Sequence, residues 1–335
     1  MTNITLAHGN GGLRMRELID SIFASQLANP FLNTEKDAAF LNLEAKEWAM
    51  TTDGFTVQPL FFPGGNIGSL AVHGTVNDLA VSGAEPRYLS LNAIIEEGLS
   101  LKDLEKIVAS MATAAKEANV HIVTGDTKVV PKGQGGGVYF ATTGIGEKMA
   151  ALQLDEQRIC AGDRILVSGP IGNHGIAVMM AREAFGLHSD IVSDSATVWP
   201  LVHALTTLEN ISAVKFLRDP TRGGLNMVLQ DLSRSSALGV DLHENQLPIE
   251  PAVQSVCNML GYDPFNLACE GRVVAVIAAD MADTVLSVWR DLKQGENTAI
   301  IGEFTHEHQR VVMQTPIGGQ RLMLPLEDEP LPRIC

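Results

Sequence analysis

Residues 67–81 read IGSLAVHGTVNDLAV, with Leu70, Ala71, Gly74 and Val81 recurring at helical spacing. Asn77 and Asp78 fall on the same apolar stripe, the wrong face for a charge. An unpaired ionised carboxylate there would cost several kcal/mol, so Asp78 calls for a cation. The helix starting at about Ile67 therefore belongs to a core and carries an acid into it.

Working outward, a first helix is expected over about 13–25, and "EWAMTTDGF" (47–55) reads as a strand ending at Asp53. A second helix, roughly 101–118, precedes a strand "HIVTG" and a polar turn "DTK" (126–128), and "VYFATTGIGE" (138–147) is a further strand. Composition shifts near 148–160, after which "DRILVSG", a glycine-rich turn and a helix "IAVMMAREAF" open a second half. There "RVVAVIAAD" is an apolar strand, 282–294 a helix, and "AIIGEF" echoes the "GIGE" of the first half. So short an echo carries little weight for duplication. Mixed strands and helices in both halves predict an α/β or α+β protein whose mixed sheets are covered by helices on one side.

At 335 residues, two domains of about 150 residues each are the natural expectation. The boundaries read as 1–150, 151–322 and a mobile tail, 323–335, in which Pro325, Pro330 and Pro332 favour extended chain. Its last ten residues can reach up to ~35 Å. A composition of 45% hydrophobic and 19% charged residues is that of a globular protein. The net charge of −15, with no Lys/Arg cluster to offset it, argues against nucleic acid and anionic membrane surfaces. "MTNITLAHGNGG" lacks the order of a signal peptide, and no apolar run approaches the ~20 residues needed to span a bilayer, so a cytoplasmic protein is expected. Cys160, Cys257, Cys269 and Cys335 show neither zinc nor disulfide spacing, and the first three read as small buried hydrophobes.

"HGNGG", with Gly9, Gly11 and Gly12 just before a helix, would let main chain approach a phosphate, yet it fits neither a P-loop nor a dinucleotide fingerprint and by itself reads as a turn. Asp53, Asp78 and Asp126 each end or face a buried element; together they suggest Mg²⁺, which takes oxygen ligands and travels with nucleotide phosphates, whereas any one alone could equally be a cap or turn residue. "GPIGNHG" (169–175) and "RDPTRGG" (218–224) place further glycines before helices. In the second, Arg222 either clamps a phosphate or pairs with Asp219. "NLACEGRVV" sets Glu270 at the mouth of an apolar strand, where desolvation would make it a base, or where it is simply a strand-end charge.

Taken in order, "HGNGG", "TTDGF", "PLFFPGGNIGSLAVHGTVNDLAVSGAEPRYLS", "TGDTKVV", "RDPTRGG", "CEGRVVAV" and the terminal "PLPRIC" resemble the HypE family of hydrogenase maturation proteins, within the aminoimidazole ribonucleotide synthetase superfamily. The resemblance spans essentially the whole chain, and "PRIC" is what separates it from the rest of the superfamily. It implies a two-domain aminoimidazole ribonucleotide synthetase-like fold, a homodimer formed through N-terminal domains, and ATP chemistry. Cys335 would accept a carbamoyl group from the carbamoyltransferase HypF. The S-carboxamide would then be dehydrated with ATP to a thiocyanate, and cyanide handed to iron on the HypC–HypD complex for a nickel-iron hydrogenase. Carried over, Asp53, Asp78 and Asp126 look like Mg²⁺ and phosphate-binding acids, Gly9, Gly11 and Gly12 with Asn77, Asp219 and Arg222 look like nucleotide-site residues, and Lys128 and Glu270 match the pair around the carboxamide. Two other classes stand beside this one: a selenophosphate or aminoimidazole ribonucleotide synthetase, although "LAHGNGG" lacks the thiol or selenol expected of the first, and an acidic scaffold whose tail only docks a partner.

A CaaX signal needs its Cys four places from the end, so "PRIC" is not one. The carboxylate beside a terminal Cys disfavours thiolate, so Cys335 is expected to need a positive partner such as Arg333 or a docking site.

Overall fold

The computed structural model describes residues 3–9, 13–33, 39, 41–182, 190–328, 330–331 and 334–335. The N-terminal part begins with α1 (Leu13–Leu18), a π-helical stretch Ile19–Ala24 and α2 (Ser25–Leu27), which together occupy the span expected of a first helix. Strand β1 (Trp48–Phe55) continues two residues past Asp53, and β2 (Phe61–Phe62) with β3 (Gly65–Asn66) makes a small hairpin. Then come α3 (Ile67–Val81), β4 (Ala84–Glu96), α4 (Leu101–Glu117), β5 (His121–Val130) and β6 (Val138–Lys148).

Asn66 opens α3 with a capping box, its side chain accepting from Gly68 and Ser69 while Ser69 reaches back to the Asn66 main chain. The helix is buried almost all round, more than its stripe of apolar residues required. Amphipathic α4 buries Leu104, Ile107, Val108, Met111 and Ala115, at helical spacing, and carries the chain between the parallel strands β4 and β5. The resulting sheet has the order β1-β6-β4-β5. The turn expected at 126–128 is instead strand: "DTK" continues β5, paired with Asn92, Ala93 and Ile94 of β4. Asp126 and Lys128 lie on an exposed sheet face with Thr127 buried between them, so the polar run is strand and not a chain reversal.

The second half contributes β7 (Arg164–Val167), α5 (Asn173–Ala181), α6 (Trp199–Ala204), β8 (Val214–Arg218), α7 (Gly224–Ser236) and β9 (Gly239–His243). It continues with α8 (Pro251–Leu260), β10 (Val274–Ile277), α9 (Ala282–Arg290), β11 (Ala299–Thr305), β12 (Val311–Gln314) and β13 (Gln320–Met323). Its sheet runs β13-β12-β9-β11-β7-β10-β8. The expected strands and helices of this half are present, and the short strands and helices between them had no distinct sequence signal. Mixed sheets with helices packed on them give the α/β class expected.

The two halves share packing. One core cluster joins Phe55, Val57 and α3 to Ile176 and Ala177 of α5, Leu267, and the tail residues Leu331 and Ile334. The arm expected to be mobile from 323 is thus strand-paired through β13 at its start and seated in the molecule at its end. Cys257 and Cys269 are buried as expected, but Cys160 is exposed, because it lies in the loop before β7. Among the described residues no helix is long and apolar enough to cross a membrane.

Candidate functional site

Helix α3 lies directly on β1 because Gly74 has no side chain; a Cβ there would meet the Phe55 ring at 2.8 Å. The close approach brings Asp78 to β1, where Thr51 Oγ1 donates to Asp78 Oδ2 at 2.9 Å, with Asp53 two residues further along the same strand face. From the other half, β8 ends in Arg218 and Asp219 follows it. Strand β10 pairs antiparallel with β8, Val274 opposite Arg218, so Asp219 and Glu270 leave the sheet at the same end. That end faces Asp53 and Asp78.

Four acids, two half-buried and two buried, gather in one cleft. Burial holds Asp53 above the usual carboxylate range, against a main-chain hydrogen bond from Gly54 and the Arg222 charge. Asp78 is raised by burial and further by Asp53, against the Thr51 bond. Burial and then Asp78 push Asp219 up to about 7. Glu270, 2% exposed, is raised well above its ordinary value, first by burial and then by Asp219, Asp194, Asp53 and Asp78. Its Oε1 has no hydrogen-bond partner among the described residues. Burial of this kind favours the protonated form, and a carboxylate that gives up its proton there is a desolvated base.

Cys335 is seated in this cleft. The Thr56 N–H and Oγ1–H both donate to its main-chain oxygen, at 3.1 and 3.2 Å, and His174 bonds the carbonyl of Ile334 at 2.5 Å. The thiol is pushed up to about 11, by burial first and Glu270 second, while a hydrogen bond from Arg222 pulls the other way. Arg222 thus neither pairs with Asp219 nor stands free: it faces Cys335, Asp53 and Glu270. Arg333, the other candidate partner, lies outside the described residues. Beside the cluster, a cavity of about 550 Å³ is lined by Thr51, Asp78, Ser82, Phe216, Arg218 and Asp219, a size usual for small-ligand sites.

The remaining expected residues are placed differently. Within one chain Asp126 does not join Asp53 and Asp78. In the sheet Asp53 aligns with Thr142, Leu91 and Gly125, so Asp126, one residue on, points to the opposite face. It is also on the far edge strand, about 14 Å across three strand spacings. Asp126 pairs there with Lys128 at 3.0 Å, their side chains 53% and 62% exposed. The acids that gather with Asp53 and Asp78 are Asp219 and Glu270 instead.

Asn77 is buried with both ends of its amide committed: Nδ2 donates to Ala196 O and Glu270 O, and Oδ1 accepts from the Val198 N–H at 2.8 Å. It holds the Glu270 loop in place. Gly9 packs under β5, where a Cβ would meet Val129 at 2.7 Å, while Gly11 and Gly12 lie outside the described residues. Thr51, Thr56, His174 and the loop 193–197 had no part in the sequence reading, although the polar run "SDSAT" was the available signal. Among the described residues no three His, Cys, Asp or Glu are drawn together tightly enough to hold a metal ion unaided. Asp53, Asp78 and Asp219, each raised by burial or by its neighbours, nonetheless have the oxygen-only chemistry of Mg²⁺, which uses one or two carboxylates and completes its shell with phosphate and water.

Comparison with known proteins gives a consistent picture. Residues 35–148 match the AIR synthase related protein N-terminal domain, and residues 161–314 the corresponding C-terminal domain. The carbamoyl dehydratase HypE of Azotobacter vinelandii is 46% identical over 334 residues, 99% of this chain and 97% of the relative. A crystal structure of hydrogenase maturation protein HypE in complex with ATP superposes with a TM-score of 0.92 at 43% identity, covering 98% of this chain and 99% of that one. The HypE–HypF complex structure matches with a TM-score of 0.80 at 43% identity, over 93% and 99% of the two chains.

Proposed function

The chain belongs to the HypE family of AIR synthase related proteins, and from that membership we propose that it is an ATP-dependent carbamoyl dehydratase in the maturation of nickel-iron hydrogenases. The observation that carries the proposal is the seat of Cys335, its thiol between Arg222 and Glu270 at the mouth of an acidic cleft.

The seated thiol, its pKa pushed up to about 11 by burial and Glu270, stays protonated near neutral pH and is a poor nucleophile. It therefore accepts its carbamoyl group outside the cleft, from a HypF-type carbamoyltransferase, and re-enters as the S-carboxamide. The carboxamide oxygen attacks the γ-phosphorus of ATP and ADP leaves, while nitrogen loses one proton. The carbon–oxygen bond then breaks, phosphate departs, nitrogen loses its second proton, and C≡N remains on sulfur. Glu270 would take a nitrogen proton, and Arg222 would hold charge developing on the carboxamide oxygen. Asp53, Asp78 and Asp219 would hold Mg²⁺, which supplies neutralisation of the nucleotide phosphates. Glu270, raised first by burial and then by the neighbouring acids, would be the stronger candidate base with those acids neutralised.

A homodimer is part of the same reading. The sheet face bearing Asp126 and Lys128 also exposes Met50, 73% accessible, and among the described residues it carries none of the helices that cover the opposite face. A second copy packed there would bring Asp126 and Lys128 towards the cleft of its neighbour, which reconciles their family roles with their distance from Cys335. We place the protein in the cytoplasm, where ATP and reduced thiols are available, with a HypC–HypD complex receiving cyanide.

The test is the mass of the C-terminal peptide. With a carbamoyl donor and transferase it gains one carbamoyl group, and on adding Mg-ATP it loses one water. An unmodified Cys335 under conditions where the transferase consumes its donor overturns the proposal.

A further inference from the structure

His174, fully buried at the start of α5, connects the seated tail to the rest of the cleft. A carbonyl oxygen only accepts, so the Nε2 that lies 2.5 Å from Ile334 O carries a hydrogen. Burial keeps the imidazole neutral, below its ordinary pKa, so Nδ1 is bare and accepts the Ser193 hydroxyl at 2.8 Å. Ser193 Oγ in turn accepts the Ser195 N–H at 3.0 Å. Every donor in this chain points the same way, towards Ile334. The Phe62 ring stands edge-on to the imidazole, centroids 5.4 Å apart, and limits its rotation.

The loop that ends this chain also holds the candidate base. Asp194 accepts from the Gly271 N–H at 3.2 Å and lies 3.6 Å from Arg272. The Ala196 N–H donates to Glu270 O at 3.4 Å, and Asn77 bonds both carbonyls. At Gly271 any Cβ would collide with the Asp194 carbonyl, so loop and base are fitted without slack. Residues 193–197 are fastened to Glu270 on one side and, through His174, to the residue before Cys335 on the other.

We propose that His174 is a positioning residue, a latch whose Nε2–H captures the Ile334 carbonyl and registers Cys335 against Glu270, with Ser193 fixing the tautomer the latch requires. Its value to catalysis rests on the carrier reading of Cys335; the latch itself is measurable without turnover. In the full chain, iodoacetamide labelling of Cys335, followed by mass of the C-terminal peptide, reports how often the tail leaves its seat. Losing one such hydrogen bond should raise the labelling rate about tenfold in His174→Ala. Ser193→Ala, which touches no tail atom, should raise it severalfold by letting the imidazole carry its hydrogen on Nδ1. His174→Gln, whose amide can both donate and accept, should stay within about twofold of the parent.

Imidazole ¹⁵N spectra should show the Nε2–H form in the parent and a mixture in Ser193→Ala. Parent-like labelling in both folded alanine variants, or an Nδ1–H parent tautomer, overturns the latch. Should His174→Ala fail to fold by circular dichroism, Ser193→Ala decides alone. Faster labelling in these variants together with a Cys335 that never becomes carbamoylated leaves the latch standing and removes the carrier reading.

Discussion

Asp53 and Asp126 sit on the two outer strands of one sheet, a single residue out of register, and that step separates two electrostatic environments. Asp53 faces α3, loses water, and is joined by Asp78, Asp219 and Glu270, with Arg222 and Cys335 closing the group. Asp126 faces outward and is balanced by Lys128 two residues along its own strand. Side-chain alternation with a period of two does the sorting. One end of the sheet gathers acids whose pKa values are raised beside Arg222, while the other carries an exposed, balanced ion pair.

The largest effect expected is from Cys335→Ser, which should abolish peptide carbamoylation and turnover together; retained turnover would mean that the buried end is not where the chemistry occurs. Glu270→Gln should lower kcat by roughly 10² to 10⁴ without lowering the melting temperature, since burial already favours the neutral form of the acid it replaces. Lys128→Met should change stability by no more than ~1 kcal/mol, as befits an exposed pair, yet reduce turnover about tenfold or more if the outward end completes a neighbour's cleft. Mixing it with Glu270→Gln should then restore part of the activity, because one of the two clefts in a mixed dimer is intact. No restoration in a verified mixed dimer would show that the two ends work independently.

The smallest effect concerns pH. Asp219 titrates at about 7 in the folded chain against 3.8 as a free side chain, so it binds its proton more tightly when folded. The stability it contributes is full below about pH 4 and is lost as pH rises through 7. Asp219→Asn should therefore flatten the fall in melting temperature between pH 4 and 7, and millimolar Mg²⁺ at pH 7.5 should raise the melting point of the parent more than that of the variant. An unchanged slope would remove Asp219 from the repelling group.

Much of this was legible in the chain. The stripe through Leu70, Ala71, Gly74 and Val81 announced a buried α3, and Asp78 on it announced a site, because a carboxylate on an apolar helix face has no cheap structural explanation. Glu270 before an apolar strand carried the same message. The edge position of β5 was not legible, since "DTK" satisfies a turn as well as an exposed strand, and only pairing with β4 distinguishes them. His174 and Ser193 left no pattern because their partners are 160 and 19 residues away.

By itself, then, the sequence determined composition class, the alternation of strands and helices, the resemblance to a family and the presence of acids that burial would perturb. These depend on local periodicity and residue chemistry, which a linear string contains. The tertiary structure alone decided which acids meet, what stands beside Cys335 and which face Asp126 takes. Those depend on strand register and on contacts between residues far apart in the chain, where a shift of one position reverses a side chain's face and no local signal records it.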